Sequence, residues 1–311
     1  MIDRLLPAVA AATSRMPLGM RRAYGDLSNR VLDSSTVYRQ MRASIAEMGS
    51  ALIDFSRPPE GPEEERLHAF ASAIRPWTAD GLELRRIGGG GDGAYVMADD
   101  SGARHAISLG VGHDVSWDQA MAARGVAVAM FDPTIADPPD AVTGATFHRI
   151  GLGPASAHGG HAGGYGLDLR PFPEIMLIAG CEPTDAILKV DIEGAEWDGL
   201  AGADLAGFEQ VLIEMHDLHR LCDGASEAAV LDVTQALALS HRAVHVHANN
   251  ESRFVRFGRL WFPDVIEVSF VRRDRLREAM PAATLAPGLD RPSNPGYPEF
   301  ELAGLLSASA A

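Results

Sequence analysis

Only two cysteines, Cys181 and Cys222, occur in 311 residues. That excludes a disulfide scaffold. The pair also lacks metal-ligand spacing, so two reduced thiols in an intracellular, cytoplasmic protein are expected. Long hydrophobic runs are missing as well, since no stretch reaches the roughly 20 apolar residues needed to span a bilayer. The opening MIDRLLPAVAAATSRMPLGMRR sets a short apolar stretch between basic residues. Asp3 and Pro7 weaken a signal-peptide reading and leave peripheral membrane contact through a surface-lying helix as an option. Positive charge is scarce: 27 Lys and Arg against 42 Asp and Glu leave a formal net charge of −15. A nucleic-acid surface needs clustered cations, so no nucleic-acid partner is expected. GxxxxGK[ST] is absent too, which disfavours a P-loop ATPase or kinase.

What remains is ordinary globular composition, with enough apolar residues for one large or two modest domains. Residues 1–75 read as an N-terminal helical region. DSSTVYRQMRASIAEMGSALIDF spaces Val37, Met41, Ile45, Met48 and Leu52 at helical intervals. After the break SRPPEGP, EEERLHAFASAIRP predicts a second helix, stopped by Pro76. This region reads as an appendage or lid, one suited to joining two copies into a homo-oligomer. From about 80 onward strands alternate with helices. The strands are ARHAISLGVG, VAVAMFDP, ATFHRIGLG, AILKVDI, QVLIEMH, AVHVHANN and VIEVSFVRR. DVSWDQAMAARG and SEAAVLDVTQALALSHR supply helices. That alternation predicts a mostly parallel sheet covered on both faces, with an antiparallel closing pair. The Gly- and His-rich stretch 151–170, with His158 and His161, reads as a surface loop. The sheet domain is expected over 76–280, and 281–311 reads as a turn-rich tail without a chemical role.

Gly110 and Gly112 stand between the first of these strands and its helix. Glycines there let the backbone turn tightly and admit a ligand that a Cβ would block. Asp132 ends the next strand, about 20 residues on, where a carboxylate can accept both hydroxyls of an adenosine ribose. The dinucleotide pattern G-x-G-x-x-G is incomplete, because Val115 occupies its third glycine position. That favours a cofactor with one nucleoside and no diphosphate over NAD. Upstream, Asp92 and Gly93 are placed to bend over the cofactor and Tyr95 to stack on an adenine.

Three further strands end in polar groups: Asp191 and Glu193, then Glu214 and His216, then His247. A carboxylate or imidazole there can take the proton from an attacking hydroxyl. The best candidates are His216 as base and Asp191 as orienter, with Glu214 and His247 beside them. Alternatively Asp191, His216 and His247 hold a divalent cation, Mg²⁺ or Mn²⁺, that acidifies the acceptor. His245 lies deeper in its strand and reads as structural, and Glu196 as a helix start.

ILKVDIEGAEWDGL at 187–200, followed by QVLIEMH at 210–216, resembles the FkbM-type methyltransferases, class I enzymes that use S-adenosylmethionine. DGAYV at 92–96, ISLGVGHDVSWD at 107–118, HVHANN and PDVIEVSFVRR support the likeness, which spans 80–300 and leaves the first 75 residues outside. The resemblance implies an α/β, Rossmann-like fold: a mostly parallel seven-stranded sheet with a final antiparallel strand, here with the helical appendage added. It also implies that Gly110 and Gly112 hold the methionine part of the cofactor and Asp132 its ribose, while Asp191 and Glu193 face cofactor and acceptor. The expected activity is O-methylation of a sugar, glycan or small secondary-metabolite hydroxyl. The alternatives are a non-catalytic binding or assembly protein on a degenerate methyltransferase fold, and an NAD-dependent oxidoreductase.

Overall fold

The computed structural model describes residues 52–55, 61–91, 93–99, 102–157, 166–222, 227–257, 260–283, 288–297, 299–300 and 302. Before the central sheet come β1 (Leu52–Phe55), α1 (Pro62–Ala73), β2 (Trp77–Asp80), β3 (Leu84–Ile87) and β4 (Tyr95–Ala98). The sheet region opens with β5 (His105–Leu109), α2 (Ser116–Ala123), β6 (Ala127–Phe131) and β7 (Ala145–His148). It continues through β8 (Gly151–Leu152), β9 (Leu169–Arg170), α3 (Phe172–Ala179), β10 (Ala186–Val190) and α4 (Glu196–Leu200). Then follow β11 (Gln210–Met215), α5 (Glu227–Ser240), β12 (His241–Ala248), β13 (Phe254–Phe257), β14 (Leu260–Pro263), β15 (Ile266–Arg272) and β16 (Arg277–Pro281).

Seven strands form the central sheet in the order β12-β15-β11-β10-β5-β6-β7. From β7 to β11 neighbours are parallel, while β15 runs antiparallel to both β11 and β12. The mostly parallel sheet and its late antiparallel strand therefore stand as expected. Between β12 and β15 the chain makes an antiparallel hairpin, β13–β14, with β1 alongside β13 in parallel. The helix expected over 33–55 thus ends differently: Leu52–Phe55 is a strand, because its backbone pairs with a segment two hundred residues away that local periodicity cannot register. The remainder of that segment, including Val37, Met41, Ile45 and Met48, lies outside the described residues.

Strand alternation sorts the sheet into two faces. Ile107, Leu109, Leu188, Val190, Val211, Ile213, Val268 and Phe270 join one core with residues of α1 and α5. Ala106, Ile187 and Leu212 join another with Tyr95, Met97, Trp117 and Met121 of the β3–β4 hairpin and α2. Central strands covered on both sides read as continuous apolar runs, which is why AILKV and QVLI were recognisable. α1 begins on Gly61 with Pro62 in its first turn and Glu63, Glu64 and Glu65 behind it, all favourable at a helix start. It delivers Leu67, Phe70, Ala71 and Ile74 into the sheet's main core, so this helix packs as an integral layer. Among the described residues no helix is long and apolar enough to cross a membrane.

Because Phe70 is fully buried in the core shared with the sheet, Phe70→Ala is expected to cost about 3–5 kcal/mol. Urea unfolding followed by both fluorescence and circular dichroism should show one shifted transition. Two separate transitions would make α1 an independent appendage.

Candidate functional site

The chain order places β6 on one side of β5 and β10 on the other, so the topology switches at the carboxyl ends of β5 and β10. Open parallel sheets bind ligands at such a point. Gly110 closes β5 there with φ +82°, and a Cβ on it would lie 1.6 Å from the Asp191 carbonyl oxygen at the end of β10. Only glycine fits. The junction is tied by Gly110 N–H to the Phe131 carbonyl (2.9 Å), Asp191 N–H to the Leu109 carbonyl (2.9 Å) and Lys189 Nζ to the Gly110 carbonyl (2.8 Å). Gly112, at φ +56°, differs: a Cβ there meets open space.

Asp132 is 5% exposed and serves this turn directly. Its Oδ2 accepts the Val111 and Gly112 N–H groups at 3.0 and 2.9 Å, and its Oδ1 accepts the Thr134 N–H and hydroxyl at 2.8 and 2.6 Å. Burial opposes its charge, but the hydrogen bonds from Gly112, Thr134 and Val111 win and hold its pKa below the ordinary carboxylate value. The residue stands where a ribose acceptor was expected, with all four of its lone-pair directions engaged by the protein.

Gly89 and Gly93 dock on the opening of α2. Gly89 N–H donates to Ser116 Oγ (2.7 Å), and a Cβ on Gly93 would lie 2.4 Å from Asp114 Cγ. Gly93 is therefore explained by close packing; Asp92 lies outside the described residues. Tyr95 does not offer a stacking face. Its ring is buried with Lys189 Nζ 5.3 Å from the centroid, and its hydroxyl donates to Asp191 Oδ2 at 2.8 Å. Burial, then the charges of Asp191, Glu214 and Glu267, push the phenol's pKa well above its ordinary value.

On the same face of the sheet a row of polar side chains follows. Glu214 pairs in register with Glu267, and Glu267 with His247. Asn249 Nδ2 donates to Glu214 Oε1 at 2.8 Å. Asp191 is pushed up by burial, but Lys189, Glu214, His216 and Tyr95 together hold its pKa below the ordinary value. His216 Nδ1 lies 2.9 Å from Glu196 Oε1, while its Nε2 is 3.5 Å from Glu193 Oε2 and 3.7 Å from Glu214 Oε2. Burial alone would lower its pKa; Glu196, with Asp191 and Glu193 behind it, raises it to about 9. Such an imidazole is a donor at neutral pH, which departs from the expected general base.

Glu196 is the residue whose importance the sequence understated. It is wholly buried, and its Oε1 also accepts the Ile192 and Gly194 N–H groups at 3.1 and 3.2 Å. It thereby shapes the DIEG turn, where Glu193 takes the left-handed φ of +58°. Lys189, the only lysine of the chain, was also missed. A lone cation inside the buried run AILKV was the available signal, since burying an unpaired charge is costly.

The structure brings Asp191, Glu193 and His216 together, with ligand atoms all within 4.8 Å of one another. His247 does not join that set. Its Nε2 pairs with Glu299 at 3.0 Å and its Nδ1 lies 3.5 Å from Glu267. Burial works against its charge, yet these carboxylates raise its pKa to about 10. His245 faces Asp290 at 2.8 Å, and burial, His247 and Arg86 lower its pKa to about 3, in keeping with a structural residue. Asp290 and Glu299 belong to the tail, which is also fastened by Asn250 Nδ2 to the Asn294 and Tyr297 carbonyls and by Phe300 packed edge-on against Phe254. A second group, Asp217, His219 and Asp264, is spanned by the Arg253 guanidinium at 2.8 and 2.6 Å from the two aspartates. An open cleft of about 670 Å³ lies at the opposite edge of the sheet, lined by Ala98, Glu209, Gln210 and Arg275 among others, and contains none of the expected site residues.

No protein-family model matches the chain, and no curated protein matches it.

Two expectations follow. Gly110→Ala, which drives a Cβ into the Asp191 carbonyl, should abolish cooperative thermal unfolding, whereas Gly112→Ala should cost only about 1 kcal/mol for its left-handed backbone. His247 has a folded pKa above the roughly 6.5 of an unfolded imidazole, so its ion pairs stabilise fully below pH 6.5 and are lost as pH rises towards 10. Glu299→Gln should move the His247 titration downward in NMR and flatten that loss; an unchanged midpoint would remove Glu299 from the cause.

Proposed function

We propose that this chain is a cytoplasmic S-adenosylmethionine-dependent O-methyltransferase of the FkbM kind. The acceptor in this reading is a hydroxyl of a sugar, glycan or small secondary metabolite. The observation that carries it is the switch-point junction, where the Gly110–Gly112 turn, Asp132 and Asp191 meet at the carboxyl ends of β5 and β10. Val115 supports a cofactor without a diphosphate over NAD: it is buried as the residue capping α2, on the ground a pyrophosphate would need. Cys181 and Cys222 are not joined in a disulfide, which suits a reducing compartment.

The residues present fit such a cofactor at the open side of Gly112, where no atom lies within 4 Å of a built Cβ. When bound, the cofactor supplies the methyl group, whose bond to sulfur breaks as the bond to the acceptor oxygen forms. Asp132 positions this ligand chiefly by setting the Val111–Gly112 turn, and exchanges a Thr134 bond if it also takes a ribose hydroxyl. Tyr95 and Lys189 fix the Asp191 carboxylate at the edge facing the acceptor. The acceptor's proton passes to a carboxylate, Asp191 or Glu214, while His216 as an imidazolium orients the oxygen by donating to it. Alignment of the reactants carries most of the acceleration.

One observation favours a second reading, a binding or assembly protein on a degenerate methyltransferase fold. The Asp132 oxygens already hold four donors.

Calorimetry with S-adenosylmethionine, using NAD as control, decides between them. We expect saturable binding of S-adenosylmethionine alone, weakened at least tenfold by Gly112→Asn, a side chain that tolerates the left-handed turn and fills its open side. Absence of binding to the stripped, folded chain would sink the enzymatic reading in favour of the second.

A further inference from the structure

We infer that Asp191, Glu193 and His216, with Glu214 beside them, form a divalent-cation site of the hard, oxygen-rich type that suits Mn²⁺. The site stands on the side-chain geometry alone; only its role in activating an acceptor oxygen rests on the methyltransferase reading.

Four carboxylates, those of Asp191, Glu193, Glu196 and Glu214, surround a single imidazole. His216 is buried, with its side chain 11% exposed. Its Nδ1 is taken by Glu196 at 2.9 Å, whereas its Nε2 makes no hydrogen bond and faces Glu193 Oε2 at 3.5 Å and Glu214 Oε2 at 3.7 Å. A carboxylate behind one ring nitrogen and a second nitrogen facing the other ligands is how metal-binding imidazoles are oriented. An ion bound there displaces the Nε2 proton, so the donor role of His216 belongs to the metal-free site and the ligand role to the metal-bound one. Ligand atoms bonded to one ion at about 2.1 Å stand about 3–3.4 Å apart when adjacent and about 4.2 Å apart when opposite. The 4.8 Å spread of Asp191, Glu193 and His216 closes to that range with small side-chain movements. One imidazole among several carboxylates favours Mn²⁺ over the softer ions that prefer thiolates or several imidazoles.

The test uses the full chain treated with a chelator, with Mn²⁺ alone as probe, followed by electron paramagnetic resonance of the free ion in about 0.15 M salt to screen diffuse surface charge. One site per chain is expected, weakened about tenfold or more by His216→Gln and unaffected by Asp217→Asn in the second cluster. Glu193→Gly separates ligation from folding. It removes a carboxylate from an exposed side chain while relieving a left-handed backbone, so Tm in chelator should hold or rise as Mn²⁺ binding falls. Equal Mn²⁺ binding by the parent chain and Glu193→Gly, or only weak multi-site binding to the parent, would overturn the inference. S-adenosylmethionine binding measured in chelator on the same samples reads the methyltransferase proposal separately, so either can fall without the other.

Discussion

The contact on which the rest depends is the meeting of two backbones, where Gly110 at the end of β5 passes the Asp191 carbonyl at the end of β10 with no space for a Cβ. Parallel neighbours normally diverge beyond their last ladder bond. Here they stay together because Asp191 N–H bonds the Leu109 carbonyl and the buried Lys189 holds the Gly110 carbonyl. Everything polar at the carboxyl edge is referenced to this seam. Asp132 sets the turn on one side of it, and Tyr95 with Glu196 sets the Asp191–Glu193 turn on the other.

Charge is distributed just as unevenly. The chain has a single lysine, and it lies among Asp118, Asp191 and Tyr95, where burial makes each interaction stronger than at the surface. Burial raises the pKa of Asp118, which Lys189 partly offsets, so the cation serves the helix on one side and the carboxyl edge of the sheet on the other. Around it the two histidines with elevated pKa values, His216 and His247, are both held by carboxylates from distant segments.

The strands were legible because central parallel strands are apolar on both faces and short, and because glycine and proline punctuate them. Asp191, Glu214, His216 and His247 were legible as strand-end polar groups on one face, since alternation fixes which side they share. Partnership was not. That Tyr95 would bond Asp191 rather than present its ring depends on a hairpin folding over the sheet, 96 residues before its partner. Leu52–Phe55 fitted a helix by spacing and is a strand by pairing. His247 was grouped with Asp191 by strand position, but the tail supplies Glu299 to it, and nothing local in LDRPSNPGYPEFEL announces that role.

The tail's fastening bears on how the molecule is made. β12 emerges from synthesis before the partners of His245 and His247, since Asp290 and Glu299 are translated some 45 to 52 residues later. Until then the growing chain holds a nearly complete sheet with an unfinished corner. The corner of the carboxyl edge around His247 consequently gains its outer carboxylate only once the tail has been made.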